Sequence, residues 1–294
     1  MSVYEEIKQF QFDIDTVIAQ KLREFEFVGQ YLSVSQGNRL RSKLYWLACK
    51  ILNENPSAKI AAAFEILHQA TLMHDDVLDN ADIRRNLKTV SAEKGNNFSI
   101  LAGDILLASC MKLIAEERSF LLIDLFSELA ANLIRGELKC QNMSLSADMN
   151  EYEQNVYLKT GCFFETIIKS VKYEDNPLIE FGREFGIFFQ MADDYKDYFC
   201  TETTTGKKQF QDLASKTVTF PIIVAYKHAD QSEKETIQEF FYNDGAIENV
   251  IAVVNRTKDI TLDILETHRQ SAITLLKSIV STHEILRFAI DTLF

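Results

Sequence analysis

SAKIAAAFEILHQATLMHDDVLDNA, residues 57–81, is apolar on most sides until it reaches its aspartates. It reads as one long helix beginning near Ser57. A helix that is greasy around most of its circumference belongs in the middle of a bundle. On a helix, residues i, i+1 and i+4 fall within roughly 100° of arc, given 3.6 residues per turn. Asp75, Asp76 and Asp79 therefore point the same way. The same D-D-x-x-D spacing returns in QMADDYKDYF, residues 190–199, and gives Asp193, Asp194 and Asp197 a common face. Unit charges about 4 Å apart repel by roughly 4 kcal/mol at an effective dielectric near 20. Either such groups protonate or a cation neutralises them. Hard carboxylate oxygens suit Mg²⁺, which takes one or two protein carboxylates and completes its shell with phosphate oxygens and water.

A solvated acidic helix end is the plain alternative for one knot, since charge runs are usually surface. Two knots of one pattern, each preceded by an apolar helix and followed by a basic loop, weigh against it. A calcium loop counted from Asp75 fails: Asn80 stands where glycine is needed and Asn86 where glutamate is needed. The cations beside the knots complete the pattern. Arg84 and Arg85 follow the first; Lys207, Lys208 and Lys216 follow the second. Lys159 lies in YLKTG, and Arg39 and Arg41 lie in QGNRLRS. Arginine forks and lysine point charges bind phosphate oxygens. Carboxylates that hold Mg²⁺, ringed by cations, are what a diphosphate leaving group requires.

The rest of the chain suits an all-α protein. Its 294 residues are 47% hydrophobic and contain only ten glycines and three prolines, so helix breakers are scarce. Helices are expected over Leu44–Ile51, over about 97–115, 119–143, 149–172 and 177–200, and from about 216 to the end with a break at Asn243–Gly245. TVTFPIIVAY is the most strand-like run, but Pro221 suits a helix start, and no convincing strand is expected. Residues 81–97 and 200–216 read as long polar loops, the kind that carry function. No linker divides the chain, so one domain spanning residues 1–294 is expected.

The balance of 43 Asp and Glu against 31 Lys and Arg, a net charge of -12, speaks against nucleic acid as a partner. Five scattered cysteines without a C-x-x-C pair point to a reducing compartment. The N-terminus lacks the features of a signal peptide, and no run of 18 apolar residues suggests a membrane span. A cytoplasmic protein is the expectation.

Several ordered motifs together resemble the trans-type isoprenyl diphosphate synthases, the polyprenyl synthetases. HDDVLDNADIRR and FQMADDYKD resemble their two aspartate-rich motifs. GNRLRS resembles their basic motif, Lys159-Thr160 their K-T pair and SKTVTFP their late G-K-x-T-x-P segment. LAGDILLAS and Gly136-Glu137 also fit. The resemblance covers residues 36–221. It implies a helical bundle of the isoprenoid synthase type around a deep central cavity, usually a homodimer. It implies Mg²⁺ as cofactor, three ions with substrate bound, and head-to-tail condensation of isopentenyl diphosphate onto an allylic diphosphate.

Site roles follow by motif position. Asp75, Asp76, Asp79 and Asp193 would hold Mg²⁺, with Asp194 and Asp197 acting partly through bound water. Arg84, Lys159, Lys207 and Lys216 would bind the allylic diphosphate. Arg41, Arg85 and His68 would bind isopentenyl diphosphate. Oxygens of Thr160 and Gln190 would face the developing cation. His74 reads as structural. Asn38 and Ser42 stand where the family motif carries Lys and Pro, which removes one cation from the isopentenyl site; Arg39 and Lys43 are the nearby candidates to compensate.

Ala70 and Thr71, one turn before the first knot, are small where short-chain members often carry aromatic rings. An open tunnel follows, with Leu67, Phe64 and Phe126 as candidates to narrow or floor it and a product in the hexaprenyl to octaprenyl range. Three other readings stay open: a short-chain farnesyl or geranylgeranyl diphosphate synthase, a terpene cyclase, and a non-catalytic subunit of a heteromeric synthase.

Overall fold

The computed structural model describes residues 2–34, 37–85, 87–174, 176–201, 209–243 and 245–294. The fold is all-α. The first half carries α1 (Val3–Lys21), α2 (Glu26–Val34), α3 (Leu40–Leu52), α4 (Ala58–Leu78), a two-stranded hairpin of β1 (Ile83–Arg84) and β2 (Leu87–Lys88), α5 (Val90–Lys94), α6 (Asn96–Glu116) and α7 (Phe120–Gln141). The second half carries α8 (Met149–Val156), a π-helical turn at Tyr157–Gly161, α9 (Cys162–Val171), α10 (Pro177–Phe199), α11 (Gln211–Ala214), α12 (Phe220–His228), α13 (Gln231–Asn243), α14 (Ile247–Arg256), α15 (Lys258–Ile279) and α16 (His283–Leu293).

The chain forms two compact units. The first comprises Met1–Glu128, Thr166–Ile179 and Leu276–Phe294; the second comprises Leu129–Glu165 and Glu180–Leu275.

In the first unit, α4 is the central helix. Ser57 caps it by accepting from the Ile60 N–H at 3.4 Å, satisfying one of the first-turn donors that a helix leaves over. Ile60 through Leu67 are all buried, Glu65 among them. Three consecutive buried alanines, Ala61–Ala63, contribute no bulk, so neighbouring helices can approach closely. The Ser99 hydroxyl of α6 donates to the Met73 carbonyl at 2.9 Å. A methyl carbon on Gly103 of α6 would lie 2.3 Å from His74 Nε2, so the imidazole occupies the space that a side chain would need. Helix α1 buries Ile7, Phe10, Ile14 and Ile18 along one stripe. From it an aromatic series runs inward: Phe10 to Tyr45 at 6.5 Å, Tyr45 to Phe64 at 6.3 Å, Phe64 to Phe126 at 4.4 Å between ring centroids.

In the second unit the core is also aromatic. Phe164 meets Phe185 edge-on at 5.0 Å, and Tyr152 packs on Phe220 at 6.0 Å. Pro221 sits in the first turn of α12, where its missing N–H costs nothing. The strand-like run TVTFPIIVAY is thus helical from Phe220.

One expectation needs correction. The loop over residues 81–97 contains the hairpin, with Ile83 opposite Lys88 and Arg84 opposite Leu87; two-residue strands are too short for an alternation signal. Nothing in the sequence reading foresaw α1, α2 or the π-helical turn. Helix α6 (Asn96–Glu116) is long and apolar enough, by length and composition alone, to cross a membrane, a test that a core helix of a bundle also passes. In the fold, 44% of its most apolar window is buried against protein.

Candidate active site

The first knot closes α4. Asp75 is half-buried, Asp76 buried and Asp79 exposed at the C-cap. The hairpin then turns the chain back so that Arg84 Nε donates to Asp76 Oδ1 at 2.6 Å. A buried carboxylate needs such a partner. Arg85 follows in the left-handed region at φ 52°, and its guanidinium lies against Gly37, in the stretch quoted above for Arg41. His68, two turns before Asp75, sits among Arg41, Arg85, Arg84 and Arg39. Desolvation first, and then those four cations, push its imidazole well below the ordinary value. Burial lowers Arg41 to about 10, which leaves it charged at neutral pH. Glu65, absent from the expected set, is the counter-charge. It accepts from the Ser42 N–H at 2.8 Å and stands 3.9 Å from Arg39. Proline at position 42 would have no such N–H to give. Arg39 also donates to Asp15 at 2.6 Å.

The second knot lies on α10, and its three carboxylates have three environments. Asp193 is exposed. Asp194 is buried: Oδ2 accepts from the Tyr152 hydroxyl at 2.7 Å and Oδ1 from the Gln190 amide at 2.8 Å. Burial pushes its carboxyl up to about 6, and those two hydrogen bonds pull the other way. Asp197 accepts from the Gln211 N–H at 3.2 Å and the Asp212 N–H at 3.1 Å. It thus serves the first-turn donors of α11, which a helix cannot satisfy itself. Asp212 is a fourth carboxyl here. Burial, then Asp194, Asp197 and Asp193, raise it well above the ordinary range. Its only signal in sequence was an acid inside a polar loop, too common to single out.

Lys159 and Thr160 lie in the π-helical turn, a feature frequent at functional sites. Lys159 pairs with Glu137 at 2.8 Å. The Thr160 hydroxyl donates to Gln190 Oε1 at 2.7 Å. Lys216 adopts φ 56° and holds its ammonium over the Phe240 ring at 5.7 Å. Lys207 and Lys208 lie outside the described residues. Among the described residues, no three His, Cys, Asp or Glu side chains gather into a ready-made metal cage. Ala70, Leu67, Phe64 and Phe126 are all buried in the first unit, while the half-buried Thr71 donates its hydroxyl to the His68 carbonyl at 2.8 Å.

Comparison with known proteins places the chain in a family. The family model described as polyprenyl synthetase matches residues 23–256. The all-trans-nonaprenyl-diphosphate synthase (geranyl-diphosphate specific) of Rhodobacter capsulatus is 30% identical over 257 residues, 83% of this chain and 79% of that protein. The octaprenyl diphosphate synthase of Haemophilus influenzae is 29% identical over 262 residues, again 83% of this chain and 79% of its own. The crystal structure of heptaprenyl diphosphate synthase from Staphylococcus aureus superposes with a TM-score of 0.88 at 24% identity, covering 99% of this chain and 97% of that one. The chain belongs to the polyprenyl synthetase family and is a trans-type prenyltransferase.

Proposed function

We propose that this chain condenses isopentenyl diphosphate head-to-tail onto an allylic diphosphate, farnesyl or geranyl diphosphate, and releases a long-chain product of hexaprenyl to octaprenyl length. The observation that carries this reading is the division of labour inside each knot. One aspartate is buried and committed to protein donors, Asp76 to Arg84 and Asp194 to Tyr152 and Gln190, while Asp75, Asp79 and Asp193 keep some exposure. A merely solvated acidic helix end has no need of that division.

Asp75, Asp76, Asp79 and Asp193 would hold Mg²⁺, Asp76 while also accepting from Arg84, and Asp194 and Asp197 would act from behind. The metal supplies charge neutralisation to the departing diphosphate. Arg84, Lys159, Lys207 and Lys216 bind the allylic diphosphate; Arg41, Arg85 and His68 orient isopentenyl diphosphate. The allylic C–O bond breaks, and diphosphate leaves with the electron pair. The isopentenyl double bond supplies the electrons of the new C–C bond. Loss of a proton to the departing diphosphate restores an allylic double bond. The protein contributes positioning and electrostatics, with no nucleophile of its own.

Labelled isopentenyl diphosphate with farnesyl diphosphate, with and without Mg²⁺ and with the products sized, tests this. Linear polyprenyl diphosphates formed only with Mg²⁺ are expected. Cyclic hydrocarbon would instead mark a cyclase, and no turnover by the purified chain would mark a subunit. Product length rests on Ala70, Thr71, Leu67, Phe64 and Phe126. Ala70→Tyr is expected to shorten the product by at least one five-carbon unit, since one helical turn rises about 5.4 Å; an unchanged ladder on thin-layer chromatography would defeat the assignment.

The enzyme works as a cytoplasmic homodimer, with no nucleic acid partner. Its five cysteines are thiols rather than disulfides. Helix α6 exposes Leu101, with Ile105 half-buried along the same face, an apolar strip that a second copy would cover. Leu101→Lys should convert dimer to monomer in sedimentation velocity, and a monomeric wild type would refute the dimer.

A further inference from the structure

A series of hydrogen bonds in the second unit ends on the two groups assigned to the developing cation. Tyr152 lies on α8 and is 1% exposed. Its hydroxyl donates to Asp194 Oδ2 at 2.7 Å. Asp194 Oδ1 accepts from Gln190 Nε2 at 2.8 Å, and Gln190 Oε1 accepts from the Thr160 hydroxyl at 2.7 Å. Among the described residues, Asp194 Oδ2 also accepts from the Phe220 N–H, at a long 3.5 Å.

We infer that Tyr152 is a positioning residue, which through the Asp194 carboxylate fixes the direction of the Gln190 amide dipole toward Thr160. The inference rests on the proposed reaction. An ionised carboxylate is an acceptor only, so the Gln190 end that faces it must be the NH₂. The carbonyl oxygen is then turned to Thr160, whose single proton is spent on it. What Thr160 retains is lone pairs. Both residues therefore offer negative ends of dipoles, the sign that stabilises an allylic cation when held in place beforehand. With the amide reversed, an N–H edge would stand where the oxygen was.

The two amide orientations differ only by exchange of O and NH₂, so shape alone does not select between them. Asp194 selects, and Tyr152 holds Asp194. Without the hydroxyl, Oδ2 keeps, among the described residues, the long Phe220 contact, and the carboxylate is held less firmly in its present direction. A buried network with one member missing loses its unique arrangement.

A double-mutant cycle tests this. Tyr152→Phe removes one oxygen and keeps the ring on Phe220. We expect kcat to fall about 10-fold, with KM for both diphosphates within about twofold of wild type. Gln190→Ala should lower kcat by at least as much. In the double variant, Tyr152→Phe should cost nothing further, because its effect passes through Gln190. Multiplying effects, or an unchanged kcat in Tyr152→Phe, would overturn the inference; a packing defect would multiply. A second measurement needs no Tyr152 variant. In ¹⁵N-glutamine-labelled wild type, the Gln190 side-chain NH₂, assigned by its loss in Gln190→Ala, should exchange slowly with solvent; fast exchange would overturn the fixed amide. If the wild type fails to extend isopentenyl diphosphate, the reaction assignment falls, while the NMR result still decides whether the Gln190 amide is fixed.

Discussion

Asp193→Asn is expected to lower kcat about 10³-fold, in the upper range for loss of one preorganised electrostatic group, with the melting temperature nearly unchanged. Asp193 is exposed on α10, and substituting an exposed carboxylate by its isosteric amide disturbs packing little. A 10³-fold loss corresponds to about 4 kcal/mol of barrier, at 1.36 kcal/mol per decade. Asp197→Asn should behave in the opposite sense. The Asp197 carboxylate accepts from the Gln211 and Asp212 N–H groups, and an asparagine can accept from only one of them. Loss of such a cap costs about 1 kcal/mol, visible in a urea melt, with a smaller loss of kcat. Steady-state rates beside melting curves for the two variants decide the matter. Equal losses of kcat at equal stability would mean that the three carboxylates of this knot act alike, contrary to their three environments.

That distinction between carboxylates was not legible in the sequence. The spacing D-D-x-x-D says that three side chains share a helix face, and helical geometry makes that a safe inference. It does not say which carboxylate meets water and which meets a tyrosine 42 residues earlier. Much of the rest was legible for local reasons. The apolar circumference of residues 57–75 made α4 central. Pro221 correctly overrode the β-branched run around it. The π-helical turn escaped because nothing in YLKTG breaks helical periodicity; its extra residue becomes visible only through tertiary contacts. Glu65 and Glu137 escaped as partners for a similar reason. A lone acid in a helix is unremarkable until an arginine or lysine from another element comes to it. The short hairpin that brings Arg84 onto Asp76 is likewise held by pairing across four residues, below the length at which alternation can be read.

Gly136→Ala is the second change with a large expected effect. A methyl carbon at this position of α7 would lie 2.2 Å from the Lys159 nitrogen and 2.5 Å from the Leu158 carbonyl carbon. Both are backbone atoms, so no rotamer change relieves the clash, and either α7 or the π-helical turn must move. Overpacking of this kind costs about 1–3 kcal/mol. The displacement falls on the two residues assigned to the diphosphate and the cation, Lys159 and Thr160, and on the Lys159–Glu137 pair one residue along α7. A misplacement of about 1 Å can lower a rate about 10²-fold when the chemistry depends on positioning. Gly136→Ala should therefore lower kcat about 10²-fold and reduce unfolding free energy together. Glu137→Gln, which leaves the backbone approach intact and removes only the counter-charge, should change stability by less than about 1 kcal/mol, as for a partly exposed pair. If Gly136→Ala retained full activity, or if Glu137→Gln proved the more damaging of the two, the close approach of α7 to the π-helical turn would not be what sets Lys159 and Thr160 in place.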